Sequence, residues 1–322
     1  MSAATNTDAK YRRRQEKMGA ERITEAVSLP PVEVSIERPA LYVVATPIGN
    51  LGDFAPRAAA VLAAVDVIYC EDTRHSRRLL DHFNIRTPVA ALHAHNEGDV
   101  SERLLTRLAA AGQACALISD AGTPLISDPG FPLVRAARAA GIPVYGLPGP
   151  CALVAALSVS GLPTARFVFE GFLPAQAGAR ANRLAALAGD SRTLVFYEAP
   201  HRLAASLEAM GEAFGGDRPA VLARELTKRF ETVYAGTLAE LAARVASDPN
   251  AARGECVLML AGAPEAAQAD DGELARLLTL TLAETDRRTA VRIVAALSGR
   301  PRNQVYQASL RLGGQDVELD AD

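Results

Sequence analysis

Residues Ser119–Gly130 concentrate the side chains most suited to binding a small molecule. The segment holds two aspartates, two glycines and two prolines within twelve positions, more than a simple turn needs. It follows the predicted strand Cys115–Asp120, and in open α/β sheets ligands lie beyond the carboxyl ends of the strands. The pattern therefore predicts a binding loop.

Two more loops should lie at the same sheet edge. Thr46–Asp53 follows the first predicted strand with glycines at 49 and 52, and Pro148–Pro150 follows the fifth. The glycine spacing fits neither the dinucleotide-binding motif nor the phosphate-binding P-loop. Three converging loops predict a pocket for a small organic molecule.

Lysine is scarce, because the chain contains 31 arginines and only 3 lysines. Lys228 is the only lysine beyond residue 17. An ammonium group kept where arginine has replaced nearly every other lysine indicates a geometric requirement. The alternative is an incidental surface lysine in an arginine-biased sequence.

Metal-binding and membrane signals are weak. The four cysteines are scattered without a CxxC pair, and His93 and His95 have no third ligand nearby. We therefore predict no metal site, no disulfide framework and a reducing, cytoplasmic location. No apolar run approaches the ~18–20 residues of a membrane span, and the polar start lacks the apolar core of a signal peptide.

Strands and helices alternate from Leu41 onward, which is typical of a mostly parallel sheet covered on both faces. In the second block, Thr227–Gly236 is too short for a crossover helix, so we expect an antiparallel pair and a mixed sheet. The predicted strands are Leu41–Thr46, Val67–Glu71, Val89–His93, Cys115–Asp120, Pro143–Leu147, Phe167–Phe172, Thr193–Glu198, Ala220–Leu226, Thr232–Tyr234 and Cys256–Ala261. The predicted helices are Pro56–Val65, Ser76–Phe83, Val100–Ala111, Pro132–Ala140, Ala152–Ser160, Pro200–Phe214 and Leu238–Ser247.

A short helical module follows a predicted linker at Ala263–Gly272. We expect Asp286 to cap its second helix and Gly299 to end it, giving a helix-turn-helix pair. The net charge of −3 divides into +5 for Arg276–Arg311 and −8 for the rest. A basic face predicts nucleic-acid contact; a solvated dimerisation or capping module is the alternative. The three predicted helices are Glu273–Ala283, Arg288–Leu297 and Pro301–Leu310.

Seven segments together resemble the tetrapyrrole methylase superfamily, in its branch of bacterial small-subunit rRNA methyltransferases that modify a cytidine ribose 2′-oxygen. The resemblance spans roughly residues 40–312. The tetrapyrrole-modifying branch has a G-x-G-x-G-D turn, which Pro47–Asp53 replaces here while keeping the final Gly-Asp. The matching segments are Thr46–Asp53, Cys70–Arg74, Ser119–Gly130, Pro148–Pro150, Phe169–Pro174, Tyr197–Arg202 and Arg224–Lys228.

The resemblance implies an α/β, two-domain tetrapyrrole-methylase-like fold, with a mostly parallel sheet, then a mixed sheet, plus a small C-terminal helical module. It also implies a homodimer that binds S-adenosyl-L-methionine in the cleft between the domains. We expect a disordered extension at 1–39, domains at 40–149 and 150–264, and a helical RNA-binding module at 271–312. By matching motifs, the cofactor-binding residues would be Pro47, Asp120, Ala121, Gly122, Ile126, Cys151, Ala152, Phe196, Tyr197, Glu255 and Cys256. Ile126, Ala152 and Phe196 could instead be plain core residues.

The implied reaction is methyl transfer to the ribose 2′-hydroxyl of a cytidine in the decoding region of 16S rRNA. That hydroxyl is a poor nucleophile near neutral pH, so a base or a nearby cation should assist it. The candidate catalytic residues are Asp72, Glu198 and Lys228, with His75 beside them. Asp72 could equally form a structural ion pair with Arg74.

RNA contact should rely on backbone charge, because A-form grooves hide the base edges. We expect the small ribosomal subunit as partner, and Arg180 and Arg183 to extend the basic surface. Two other functions stay open: methylation of a tetrapyrrole carbon, and a non-catalytic RNA-binding assembly factor. The predicted RNA-binding residues are Arg202, Arg287, Arg288, Arg292, Arg300 and Arg302.

Overall fold

The computed structural model describes residues 32–92, 110–248, 250–264 and 270–313, together with residues 98, 104, 106 and 108. The chain divides into two compact units on either side of the Pro150–Cys151 bond. Residues 1–31, the pair His93 and His95, and most of the predicted helix Val100–Ala111 lie outside the described residues. Within the described ranges, no helix has both the length and the apolar character needed to cross a membrane.

The first unit is built on a fully parallel five-stranded sheet, as predicted for this block. The strand order is β3-β2-β4-β1-β5. The strands are β1 (Ala40–Val44), β2 (Val67–Cys70), β3 (Val89–Ala91), β4 (Ala114–Leu117) and β5 (Val144–Leu147), and the helices are α1 (Pro56–Ala64), α2 (Thr73–His82) and α3 (Phe131–Ala139).

Both faces of this sheet are buried, which explains the nearly continuous apolar strands. Tyr42 of β1 packs with Leu62 of α1, whereas its neighbour Leu41 packs on the opposite face with Leu133 of α3. Side chains along a strand point alternately to its two faces, so each needs its own apolar cover. Each fully buried leucine contributes about 1.5–3 kcal/mol to stability.

The strand order predicts a crevice between β1 and β4. The chain leaves β1 toward β2 and leaves β4 toward β5, on the other side of β1. Residues of α1 and α3 pack on opposite faces of the sheet. Where neighbouring strands send their connections in opposite directions, a ligand crevice opens at the carboxyl ends. Two of the three predicted binding loops start at this point.

Helix α2 begins three residues earlier than the predicted Ser76. The carboxylate of Asp72 accepts hydrogen bonds from the backbone N–H groups of Arg74 and His75, at 2.7 and 3.2 Å. An aspartate cap satisfies donors that the first turn leaves unpaired. The prediction missed this start because it did not treat Asp72 as a cap.

The second unit carries a mixed five-stranded sheet, as predicted. Its order is β6-β7-β10-β8-β9, with β6 parallel to β7 and the other pairs antiparallel. The strands are β6 (Phe167–Phe172), β7 (Thr193–Glu198), β8 (Pro219–Arg224), β9 (Thr232–Thr237) and β10 (Cys256–Leu260), and the helices are α4 (Ala152–Ser160), α5 (Ala177–Leu187), α6 (Leu203–Phe214) and α7 (Leu238–Ser247).

Helix α5 was not predicted from the sequence. It has no side-chain cap at Gln176, and Gly178 weakens its first turn. Only Leu184 and Leu187 are buried, so the apolar periodicity is short. Packing of these two leucines into the second unit's core provides the stabilisation that local propensity lacks.

Three helices lie at the end of the described part of the chain: α8 (Asp271–Glu284), α9 (Arg287–Ser298) and α10 (Arg302–Gly313). Asp286 caps α9, and Gly299 ends it in a left-handed conformation, both as predicted. Asp270 caps α8, so Asp271 and Gly272 are helical rather than part of the predicted linker. The small core consists of Leu274, Leu278, Val291, Val294 and Val305.

Candidate functional site

The three predicted loops of the first unit are joined by hydrogen bonds. Thr46, after β1, forms an antiparallel bridge with Gly122, after β4, through N–H donors at 2.8 and 3.1 Å from the paired carbonyls. The Thr123 hydroxyl donates to the carbonyl of Pro150, after β5, at 3.0 Å. The loops that contain Pro47, Asp120, Ala121 and Gly122 therefore meet beyond the carboxyl ends of β1 and β4.

The second half of the β4 loop is held in a strained backbone conformation. Leu125 and Ser127 have φ values of +73° and +69°, with Ile126 between them. A non-glycine residue in this region costs of order 1–3 kcal/mol, and such strain concentrates at functional sites. Among the described residues, four of the five non-glycine positions with positive φ lie in two of the predicted functional segments.

Carboxyl groups gather beside this loop. Asp120 accepts a hydrogen bond from the backbone N–H of Asp72 at 3.2 Å. Burial, together with the charges of Glu71 and Asp120, raises the pKa of Asp128 to about 6. A hydrogen bond from Ser119 opposes this rise. The edge is therefore acidic and suited to a cationic ligand. The sequence interpretation did not single out Asp128, although its loop was identified.

Asp72 has a capping role. Hydrogen bonds from the backbone of Arg74 and His75 lower the pKa of Asp72. A carboxylate that already accepts these two bonds, with a lowered pKa, is a weak proton acceptor. Its assignment as a catalytic base stays a prediction, and the geometry favours helix capping.

In the second unit, Lys228 lies between two carboxylates. Its Nζ is 2.9 Å from Glu225 Oε1 and 2.9 Å from Glu255 Oε2. Burial alone would lower the pKa of Lys228, but the hydrogen bonds to Glu225 and Glu255 outweigh it and leave the pKa raised. Lys228 is therefore a permanent cation near neutral pH, and two ligating carboxylates fix its direction.

The turn that carries Lys228 is strained as well. Glu225 and Thr227 have φ values of +53° and +65°, and the Thr227 hydroxyl is buried without a hydrogen-bond partner among the described residues. A Cβ on Gly254 would lie 2.1 Å from Glu225 Oε1. Gly254, itself at φ +77°, thus leaves the space in which the Glu225 carboxylate reaches Lys228.

Gly254→Ala should displace the Glu225 carboxylate and release Lys228. We expect the methyl transfer that the resemblance implies to fall about tenfold. Stability should fall by about 1–2 kcal/mol, the cost of placing an L-residue at positive φ. Rate measurements and urea unfolding check both. Gly141→Ala, at φ +71° and with no atom within 4 Å of a new Cβ, is the matched control. Wild-type activity in Gly254→Ala would contradict the role of this turn.

Tyr197 links β7 to the start of α4. Its hydroxyl accepts the backbone N–H of Leu153 at 3.0 Å, next to the predicted cofactor residues Cys151 and Ala152. Its ring packs edge-on against Phe169, with centroids 4.8 Å apart. Phe196 points the other way and is fully buried in the core. Of the two alternatives for Phe196, the structure places its side chain in the core.

Cys256 and Glu255 also differ in burial. Burial raises the pKa of the Cys256 thiol to about 11, so its side chain is a neutral, buried group. The Glu255 side chain is 72% exposed and contacts Lys228. The structure thus brings Glu255 together with Lys228, a partner that sequence spacing did not indicate.

Glu198 is a buried carboxylate with a fixed set of partners. It accepts hydrogen bonds from the Ser206 hydroxyl at 2.5 Å and the Ala199 N–H at 2.9 Å. Arg202 Nε lies 3.3 Å from its Oε1, and Arg202 also donates to the Leu173 carbonyl. The geometry favours a structural ion pair over the predicted catalytic and RNA-binding roles.

Arg180 donates to the Ala175 carbonyl at 3.4 Å, and the other remaining predicted arginines divide into two groups. Arg183 pairs with Glu170 at 2.6 Å, and Arg300 pairs with Asp271 at 2.8 Å. Four others, Arg287, Arg288, Arg292 and Arg302, line one groove of the helical module together with Tyr306. Tyr306 was not identified from the sequence, because an isolated tyrosine on a helix carries no signal of its own.

Two family profiles match the chain. The profile described as tetrapyrrole (corrin/porphyrin) methylases matches residues 40–242, and the one described as RsmI C-terminal HTH domain matches residues 268–313. The fold is shared with the crystal structure of uroporphyrin-III-C-methyltransferase from Thermus thermophilus. That match has a TM-score of 0.50 and 23% identity, and covers 70% of this chain and 94% of the other.

Two relatives are much more similar in sequence. One, from Pseudomonas aeruginosa, is 55% identical over 277 residues, which cover 85% of this chain and 98% of the relative. The other, from Vibrio cholerae, is 49% identical and covers 86% of this chain and 96% of the relative. Both are named ribosomal RNA small subunit methyltransferase I. With the two matching profiles and the fold, these identities place the chain in the ribosomal RNA small subunit methyltransferase I family of tetrapyrrole methylases.

Proposed function

We propose that this protein uses S-adenosyl-L-methionine to methylate the ribose 2′-hydroxyl of a cytidine in 16S rRNA, in the decoding region of the small ribosomal subunit. The observation that carries the proposal is the sequence identity of 55% and 49% to two relatives named ribosomal RNA small subunit methyltransferase I, over nearly the full length of each. The match to the helix-turn-helix profile at residues 268–313 supports an RNA substrate.

The residues of the first unit fit S-adenosyl-L-methionine by their chemistry. The cofactor supplies a methyl group activated by a sulfonium charge. Asp120 and Asp128 provide oxygen acceptors for ribose hydroxyls and a negative field for that cation. The backbone of Pro47 and Ala121–Gly122 lies at the same crevice. We propose that these residues hold the cofactor, with Ile126 as apolar lining.

Lys228 is the residue we propose to act on the nucleophile. Its raised pKa excludes a role as general base near neutral pH. Instead, the ammonium donates toward the 2′-oxygen and stabilises the negative charge that develops there. Glu225 and Glu255 keep the ammonium oriented through their 2.9 Å contacts.

We assign a separate function to each predicted segment. Residues 40–149 and 150–264 form the methyl-transfer domains, and residues 271–312 bind RNA. We further propose a cytoplasmic homodimer, as the family resemblance implies. Light scattering of the purified chain tests the dimer, because a monomer mass at working concentration would contradict it.

Cofactor affinity should depend on pH through Asp128. Its pKa of about 6 means that the carboxyl is largely neutral at about pH 5 and charged at about pH 7. We expect S-adenosyl-L-methionine to bind severalfold more tightly as pH rises through this window, and Asp128→Asn to remove the increase. Calorimetric titration measures both, with Asp81→Asn as control. An unchanged increase in Asp128→Asn would contradict this assignment.

The Asp128 carboxyl should also make the free energy of unfolding depend on pH. Because its folded pKa is raised, its contribution to stability is fully present below the unfolded value of 3.8 and is lost as pH rises through about 6. Asp128→Asn should therefore flatten the decline in unfolding free energy over this range. Urea titrations at several pH values check the sign.

The proposed reaction can be tested directly. The purified protein is incubated with methyl-labelled S-adenosyl-L-methionine and small subunits from a strain lacking this activity. Mass spectrometry of nuclease fragments then locates the label. A methylated cytidine ribose in 16S rRNA supports the proposal; no label in rRNA, with label in an added porphyrinoid, would overturn it.

A further inference from the structure

A groove in the helical module has the composition of a nucleic-acid site. It encloses about 800 Å³ between the first two turns of α9 and of α10. Arg287, Arg288 and Arg292 line it from α9, and Arg302 and Tyr306 line it from α10. Four cations and one aromatic ring thus converge from two helices whose angle is fixed by the module's own core.

The groove arginines differ from the module's other arginines in their pairing. Arg276 and Arg300 are paired with Glu273 and Asp271, each at 2.8 Å. In contrast, the four groove guanidinium groups are exposed and form no ion pair with any residue that the structure describes. Like charges held close together repel one another, so the groove favours an anionic partner.

Asp286, the acidic residue at the groove, already accepts hydrogen bonds from its own helix. Asp286 accepts hydrogen bonds from the Arg288 N–H at 3.0 Å, and from the Thr289 N–H and hydroxyl at 3.1 and 2.7 Å. These bonds, led by those from Thr289, lower the pKa of Asp286. Even with this carboxylate charged, the groove keeps a net charge of +3.

Tyr306 adds a flat apolar surface beside the cations. It is 47% exposed, and its ring has no aromatic or cation–π partner within the described part of the chain. An exposed aromatic ring next to arginines is the combination that binds unpaired nucleotides. The ring stacks on a base while guanidinium groups hold the flanking phosphates.

The form of RNA follows from the shape of the site. A helix-turn-helix pair reads B-DNA by placing its second helix in the wide major groove. The major groove of an RNA duplex is too deep and narrow for side chains to read, and duplex bases are stacked away from Tyr306. We propose that this groove binds an unpaired nucleotide of single-stranded RNA, with its base on Tyr306 and its phosphates on Arg288, Arg292 and Arg302. The inference deepens the proposed function, on which it rests, by naming the structural state of the RNA.

Fluorescence anisotropy of the full chain with a fluorescein-labelled oligouridylate provides the test. Tyr306→Leu should weaken binding about tenfold, and Tyr306→Phe should bind like the wild type, since stacking needs the ring. Arg302→Ala should also weaken binding and lower the slope of log affinity against log salt by about 0.7, one phosphate contact. Tyr306→Leu should leave that slope unchanged. Arg311→Ala, which removes the same charge outside the groove, is the control.

The binding results and the methylation result test separate claims. Equal affinities of Tyr306→Leu and wild type for the single strand would overturn the inference, as would preference for an RNA duplex of equal length. Both results leave the methyl-transfer test intact. Conversely, a Tyr306-dependent affinity together with unmethylated small subunits would overturn the proposed function while supporting the groove.

Discussion

Replacing Lys228 with methionine is expected to slow the proposed methyl transfer to small subunits by about 10²–10³-fold, the usual cost of removing one preorganised donor to a developing oxyanion. The apolar substitute keeps an unbranched, flexible side chain but removes the ammonium that Glu225 and Glu255 orient. Affinity for S-adenosyl-L-methionine should change little, because the proposed cofactor residues of the first unit are intact. Single-turnover rates and calorimetry separate the two effects.

Lys228→Arg distinguishes geometry from charge. A guanidinium keeps the positive charge but is planar and larger than an ammonium held between two carboxylates, so we expect an intermediate rate. Arg229→Ala is the matched control, because Arg229 is the adjacent exposed cation and stacks on Phe230. A full rate in Lys228→Met would remove Lys228 from the chemistry, whatever the effect of the arginine variant.

The candidate binding edge of the first unit was predictable because a parallel sheet brings distant loops together. Once strands β1 and β4 are recognised, Thr46–Asp53 and Ser119–Gly130 must share one edge. The bridge between Thr46 and Gly122 confirms that they do. The raised pKa of Asp128 was not predictable, because it depends on burial and on Glu71, which only the folded loop brings near.

The roles of individual carboxylates were less accessible from the sequence. Asp72 and Glu198 have the residue type of a general base, yet one caps a helix and the other is buried against Arg202. Residue type fixes what a group is able to do, whereas its hydrogen-bond partners decide what it does. Glu255, 27 positions from Lys228, joined it only because β10 pairs with β8.

Arg202→Met is expected to lower the free energy of unfolding by about 3 kcal/mol, because it leaves a buried carboxylate without its cation. The Glu198 side chain is 1% exposed and that of Arg202 is 22% exposed, so water cannot replace the guanidinium easily. If Arg202 were chiefly an RNA contact, the same substitution would weaken RNA binding and leave stability nearly unchanged. Urea unfolding and anisotropy with the oligouridylate distinguish these outcomes.

A double substitution identifies the source of the loss. Glu198→Gln keeps a hydrogen-bond acceptor and the size of the side chain but removes its charge. The double variant Arg202→Met with Glu198→Gln should therefore recover most of the stability that Arg202→Met loses. Arg86→Met is the exposed control, since its pair with Asp81 has side chains 75% and 49% exposed and should contribute at most about 1 kcal/mol. Failure of the double variant to recover would show that Arg202 stabilises the turn through its bond to the Leu173 carbonyl rather than by neutralising Glu198.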